Sequence, residues 1–322
     1  MVQVAVKQAT DGQAAKEDVT GPGGARPSEA RTDLEWPRIG AHVSAAGSIE
    51  KAVANALEIG AEAMQIFGAA PQSWRRKQHD EESVAAFRRG VAEAGIGPNF
   101  IHGIYLTNLA SQNQGNMEKG IESLIADLRL AARLDIKGVI FHVGSHKGIG
   151  FEEVLPQVID AMQQVLDDSP DEAALCIENS AGAGDSVGST WDEIGAIIDG
   201  VGSDRVKVCL DTCHAFSSGY DLRDDGALDR LMVEFDREIG YERLVAVHAN
   251  DSKTELRSGR DRHENIGAGT IGEQGFRNLL AHSAFQQAPF LLEVPGFAGK
   301  GPDAENVAIL KTIRERARAR AN

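Results

Sequence analysis

From Arg38 onward, short runs of apolar and β-branched residues alternate with longer stretches whose apolar positions recur at three- and four-residue spacing. Short continuous apolar runs mark strands buried on both faces, and the longer spacing marks helices with one apolar stripe. Strand candidates are 39–43, 63–67, 99–106, 138–143, 175–179, 206–210, 244–248 and 290–294. Ile49, Val53, Ala56 and Leu57 form one helical stripe, with Ser48 as its candidate N-cap and Gly60 suited to its C-terminal end. Ile121, Leu124, Leu128 and Ala131 form another. Further helices fit near 80–94, 151–166, 190–199, 226–239 and 273–282, and a last one carries Val307, Leu310 and Ile313.

Regular β–α alternation, eight times over about 280 residues, predicts an α/β fold of the (β/α)8 TIM-barrel type, with its active site at the C-terminal ends of the strands. A doubly wound open sheet is the alternative. Residues 1–36 carry GPGG at 21–24 and no sustained periodicity, so a disordered tail is expected before a single barrel domain at 37–322.

Composition narrows the function classes. A net charge of −15 argues against a general nucleic-acid binder, although a cluster of divalent cations inverts the local field. No apolar run is long enough to span a bilayer and no signal peptide is visible, which predicts a cytoplasmic protein. Cys176, Cys209 and Cys213 are an odd set without scaffold spacing, in keeping with a reducing compartment. Cys209 and Cys213 with His214 allow a zinc-thiolate reading, but Cys209 sits mid-strand and both thiols are expected in packing roles.

The stretch VKVCLDTCHAFSSGYDL at 206–222 runs from a buried strand into what reads as a polar, glycine-containing loop, delivering Asp211 and His214 at the junction. Alone, the pair fits two metal ligands, an acid/base pair or a structural hydrogen bond. The other strands change the weighing. His102, His142, Glu178, His248 and Glu293 fall at or near the ends of the third, fourth, fifth, seventh and eighth candidates, and Asp261 and His263 lie in the loop after the seventh. A single His at a strand end is more often a structural group than a ligand. Glu178 and Glu293, each preceded by apolar residues, are harder to dismiss, because an unpaired buried carboxylate is very costly. Five His and four carboxylates at one barrel mouth suit Zn2+ and exceed what one tetrahedral ion uses, so two or three ions are expected. His42 is placed behind these ligands, His79 and His282 at the surface, and His146 in a loop outside the set.

Basic residues cluster after the second candidate strand (Arg75, Arg76, Lys77) and the seventh (Lys253, Arg257, Arg260, Arg262), where they are either a solvated rim or phosphate contacts. The segment 182–188, GAGDSVG, misses dinucleotide spacing, and no Walker or Gly-x-Ser-x-Gly sequence occurs.

Together, IGAHVSAAGS (39–48), IHGIYLTNLA (101–110), FHVGSH (141–146), IENSAGAG (177–184), CLDTCHAFSSGYDL (209–222), HANDSK (248–253), DRHENIG (261–267) and LLEVPG (291–296) resemble the endonuclease IV family of apurinic/apyrimidinic endonucleases. The resemblance spans roughly residues 38–318 and leaves the tail outside. It implies a TIM barrel with three zinc ions: one held by His102, His142 and Glu178, a second reached by Glu178 and held by Asp211, His248 and Glu293, and a third held by His214, Asp261 and His263. It also implies hydrolysis of the phosphodiester 5′ to abasic sites in duplex DNA, leaving 3′-hydroxyl and 5′-deoxyribose phosphate ends, and removal of 3′-blocking groups. Glu178 and Glu293 carry the catalytic expectation. Tyr105 stands where the family meets the duplex, but Gln72 replaces an arginine that many members insert at the lesion, leaving Arg75 and Arg76 as substitute contacts. Ala249 stands where Leu or Ile is common. No organic cofactor is expected, and a monomer is the default. A metal-dependent sugar isomerase or epimerase on a similar barrel is the competing enzyme, and a silent DNA-binding barrel the competing binder. The third ligand set speaks against the former, the full ligand set and acidic charge against the latter.

Overall fold

The computed structural model describes residues 36–321, so the tail expectation lies outside the described residues. Strands β1 (Ile39–His42), β2 (Met64–Phe67), β3 (Phe100–His102), β4 (Gly138–Phe141), β5 (Ala174–Glu178), β6 (Val206–Asp211), β7 (Leu244–His248) and β10 (Phe290–Leu292) run parallel and close on themselves in the order β1-β10-β7-β6-β5-β4-β3-β2. Closure is made by Ile39, Gly40 and Ala41 of β1 against Phe290, Leu291 and Leu292 of β10. This is the TIM barrel that the alternation predicts, and not an open doubly wound sheet.

The interior is packed. Ala63, Phe100, Ile140, Cys176, Cys209, Ala246 and Leu291 fill it in a cluster of their own, while the larger apolar core lies between strands and outer helices. Small residues let the strands crowd: a Cβ on Gly40 would lie 2.3 Å from the Ala63 carbonyl oxygen. The helices are α1 (Lys51–Glu58), α2 (Glu81–Ala94), α3 (Gln114–Leu134), α4 (Phe151–Asp167), α5 (Trp191–Val201), α6 (Thr212–Ser218), α7 (Asp225–Glu238), α8 (Gly272–Ala281) and α9 (Ala304–Ala321). Asp80, Asn113 and Asp224 cap α2, α3 and α7 by accepting the backbone N–H three residues on.

Four expectations are corrected. No side chain caps α1, which begins beyond Ser48, and Leu57 of its predicted stripe is 54% exposed. The third strand ends at His102, so 103–106 is loop. The stretch after Asp211 is the helix α6, closed by Gly219 at φ 118°. A hairpin of two-residue strands, β8 (Asp251–Ser252) with β9 (His263–Glu264), interrupts the connection after β7.

Candidate metal centre

β3, β5, β6 and β7 end in His102, Glu178, Asp211 and His248, and all four are 2% exposed or less. His142 and Glu293 follow β4 and β10 by one residue, and α6 adds His214 in its first turn. The hairpin folds Asp261 and His263 back over the same mouth. All nine residues are thus brought to one end of the barrel.

Glu178 sits in the middle. Its Oε2 is 3.1 Å from His102 Nε2 and 3.4 Å from His142 Nε2, while its Oε1 is 3.0 Å from His248 Nδ1 and 3.2 Å from His214 Nδ1. The two oxygens therefore face different partners. His102, His142 and Glu178 form one group of mutually close ligand atoms, and Glu178, Asp211, His248 and Glu293 form another. Asp261 joins the remaining imidazoles, with Oδ2 3.3 Å from His214 Nε2 and Oδ1 3.0 Å from His263 Nε2. Asp211 also lies within reach of His214 and His263, and Cys213 within reach of Asp261 and His263. Burial pushes the Cys213 thiol up to about 11, which disfavours the thiolate.

The imidazoles are oriented from behind. His102 Nδ1 donates to the Gly103 carbonyl at 2.7 Å and His214 Nδ1 to the Asn179 carbonyl at 2.9 Å, which leaves each Nε2 with its lone pair toward the carboxylates. His263 Nδ1 faces the Glu293 carbonyl at 3.3 Å and likewise frees its Nε2. Three atoms in the group, Glu178 Oε1, His248 Nδ1 and His263 Nε2, are buried and make no hydrogen bond. Orphaned lone pairs at this depth are costly unless a cation meets them, so the residues present fit metal ions.

Electrostatics point the same way. Burial pushes Glu178 up, but the nearby imidazoles, His142 and His248 first and then His102 and His214, hold it well below the carboxylate range. Glu293 is likewise low: His248 and His42 outweigh its burial. Asp261 is held low by His214 and His263 against its own burial. Against burial, Asp211, Asp261 and Glu178 hold His214 well above the ordinary imidazole value, Cys209 with Glu293 and Glu178 does the same for His248, and Asp261 and Asp211 raise His263 to about 9, whereas burial lowers His142 to about 4. Three imidazoles that are raised although buried mark a local excess of negative charge around Asp211, Asp261 and Glu178.

Sequence reasoning missed the supports. Asp211 is the N-cap of α6, its Oδ1 accepting the His214 N–H at 2.7 Å, which is why a three-residue spacing presents both side chains together. Asn250 Nδ2 donates to Asp211 Oδ2 at 2.6 Å and its Oδ1 accepts the Glu293 N–H at 2.8 Å. The Asp251 carboxylate accepts backbone N–H groups from Gly267, Gly269, Ile271 and Gly272, pinning the segment that follows the hairpin. Gln65, in mid-β2 and fully buried, reaches both His248 and Glu293. An Asn or Gln at the end of or inside an apolar strand was the available signal. His42 does lie behind the ligands, 3.4 Å from Glu293 Oε1, and His146 stays in its loop, accepting the Gly148 and Gly150 N–H groups.

On the rim, Gln72 and Arg75 are exposed, as are Lys253, Arg257, Arg260 and Arg262. Tyr105 is 59% exposed, with its ring edge against Phe67 and His102 and its N–H donating to the Pro71 carbonyl. Arg76, expected beside Arg75 as a DNA contact, turns its guanidinium inward onto Asp127 at 2.6 and 2.8 Å and onto Ser123.

The fold and this mouth define a class, and comparison agrees: the family described as xylose isomerase-like TIM barrel matches residues 53–315. A probable endonuclease 4 of Methanoculleus marisnigri is 41% identical over 277 residues, covering 85% of this chain and 98% of that protein. The crystal structure of endonuclease IV from Thermus thermophilus superposes with a TM-score of 0.76 at 34% identity, over 87% of this chain and 100% of that one. The chain belongs to the endonuclease IV family. A D-tagatose 3-epimerase-like protein also superposes, with a TM-score of 0.67 over 88% of this chain and 100% of that one, but at 17% identity it shares the fold alone. Among the described residues, no helix is long and apolar enough to cross a membrane.

Proposed function

We propose that the chain is a zinc-dependent endonuclease of base excision repair, cutting the phosphodiester 5′ to abasic sites in duplex DNA, with 3′-blocked ends as further substrates. The observation that carries this reading is Glu178, whose two buried oxygens face separate sets of imidazoles. His102, His142 and Glu178 would hold one zinc; Glu178, Asp211, His248 and Glu293 a second; His214, Asp261 and His263 a third. When bound, the ions supply Lewis-acid stabilisation of phosphoryl charge and make water nucleophilic at neutral pH.

The chain's own residues hold and orient. Water attacks phosphorus, the bond from phosphorus to the 3′ oxygen breaks, and that oxygen leaves as a 3′-hydroxyl. Glu293 is 16% exposed, against 1% for Glu178, so it is the better placed of the two to orient incoming water. Carboxylates alone would repel a phosphodiester, and zinc bound among them reverses that field. The exposed basic loops after β2 and β7 flank the mouth on either side of β1 and β10, where they can meet backbone phosphates. Tyr105 offers an exposed ring to stack against an unpaired base. The third set distinguishes this site from the competing sugar-epimerase reading, which needs fewer ligands.

The test is a duplex with one tetrahydrofuran abasic analogue, incubated with zinc-loaded protein without Mg2+. One incision 5′ to the analogue, leaving a 3′-hydroxyl, is expected. Intact duplex at protein concentrations that bind it sinks the proposal.

A further inference from the structure

Gln65 is the one polar residue in the β2 sequence MQIF, and it points into the barrel with no exposure. It lies 228 residues from Glu293 and 183 from His248, and its strand pairs with neither β7 nor β10. Yet its carboxamide touches both. Nε2 donates to Glu293 Oε1 at 2.6 Å, and Oε1 lies 2.8 Å from His248 Nε2. The second Nε2 proton meets His42 Nδ1 at 2.9 Å.

The amide can sit only one way round. A carboxylate must receive a donor, so the nitrogen faces Glu293 and the oxygen faces His248. An amide oxygen only accepts, so His248 must carry its proton on Nε2. Its Nδ1 lone pair is then turned toward Glu178 Oε1 at 3.0 Å and Glu293 Oε2 at 3.4 Å. The same contact occupies Glu293 Oε1 and leaves Oε2 facing inward. One side chain thus sets the tautomer of an imidazole and selects the oxygen of a carboxylate in the same ligand group.

We propose that Gln65 is a positioning residue that presents His248 Nδ1 and Glu293 Oε2 jointly to one metal ion; this rests on the reading of the mouth as a metal centre. Gln65→Met keeps much of the volume and removes both hydrogen bonds. In chelator competition on the zinc-loaded full chain, this variant should release one ion about 10–100-fold more readily than wild type and the remaining ions unchanged. Its metal-free form should unfold somewhat below the wild-type temperature, since Met leaves His248 Nε2–H and Glu293 Oε1 without their partner, so release is compared at a temperature where both proteins are folded. Gln65→Glu keeps an acceptor for His248 and loses the donor to Glu293. It should also release one ion early, which provides the reading if the Met variant does not fold. Unchanged release from a variant beside a metal-loaded wild type overturns the role of Gln65 alone, as does a variant that loses only metal-free stability. A wild-type chain that holds no zinc overturns the metal centre as well.

Discussion

Arg76 separates a DNA contact from an internal brace. Asp127 in the middle of α3 has no side-chain exposure, and burial raises its carboxyl even with Arg76 beside it. Arg76 is its ion-pair partner, through two contacts of 2.6 and 2.8 Å, and also bonds the Ser123 carbonyl and hydroxyl. Arg76→Ala strands that carboxylate. Removing one partner of a buried pair costs about 3–5 kcal/mol, which lowers the melting temperature by on the order of 10 °C for a domain of this size. The deficit must depend on pH. A carboxyl whose folded pKa is raised is best tolerated below its unfolded value of about 3.9 and destabilises as pH rises through the folded value. Thermal unfolding of metal-free wild type and Arg76→Ala should therefore diverge most at neutral pH and converge toward pH 4. Arg76→Met/Asp127→Leu, which removes both charges, should recover most of the loss. Arg76→Ala with near-wild-type stability and weaker duplex binding would refute the brace and restore Arg76 as a DNA contact.

Glu178→Gln removes the charge between the two ligand sets. Incision should fall below detection while the circular dichroism spectrum is retained; near-normal turnover contradicts its bridging place. Asp211→Asn keeps an oxygen to cap α6 and should loosen the ion shared with His248 and Glu293, whereas His214→Ala should loosen the ion shared with Asp261 and His263. Loss of the same ion from both variants, read by metal titration, would show that the division is wrong. At the opposite end of the barrel, Glu62 joins Arg314 and Lys311 of α9 to the Ile39 N–H of β1. Burial raises its carboxyl, but the Arg314 hydrogen bonds and the Ile39 N–H outweigh it and hold the pKa below the ordinary value. A lowered carboxyl stabilises above its unfolded pKa and loses that contribution as pH falls through the folded value. Glu62→Gln should cost about 1 kcal/mol at pH 7 in urea unfolding, and the gap should close below about pH 4; a gap unchanged at pH 3 rules out the ion pair as its cause.

The barrel was legible because each buried strand is a short apolar run and each outer helix carries one stripe. The gathering of carboxylates and imidazoles at the mouth was legible because Glu178 and Glu293 stand against apolar residues that make an unpaired carboxylate improbable. Other features escaped for physical reasons. TCHAFSS is too short for a helical period, and its helix is set by the Asp211 cap and Gly219. Parallel strands buried on both faces lack alternation, so the interior direction of Gln65 could not be read. Arg76 stood in a basic run that reads as surface, because its partner Asp127 is 51 residues away on α3.

Zinc per folded chain tests the central claim most directly. Elemental analysis of purified, zinc-saturated and desalted protein should give a value close to three, divided as the ligand sets divide. A value near one per chain would contradict an arrangement in which Glu178 faces two ions and Asp261 completes a third set.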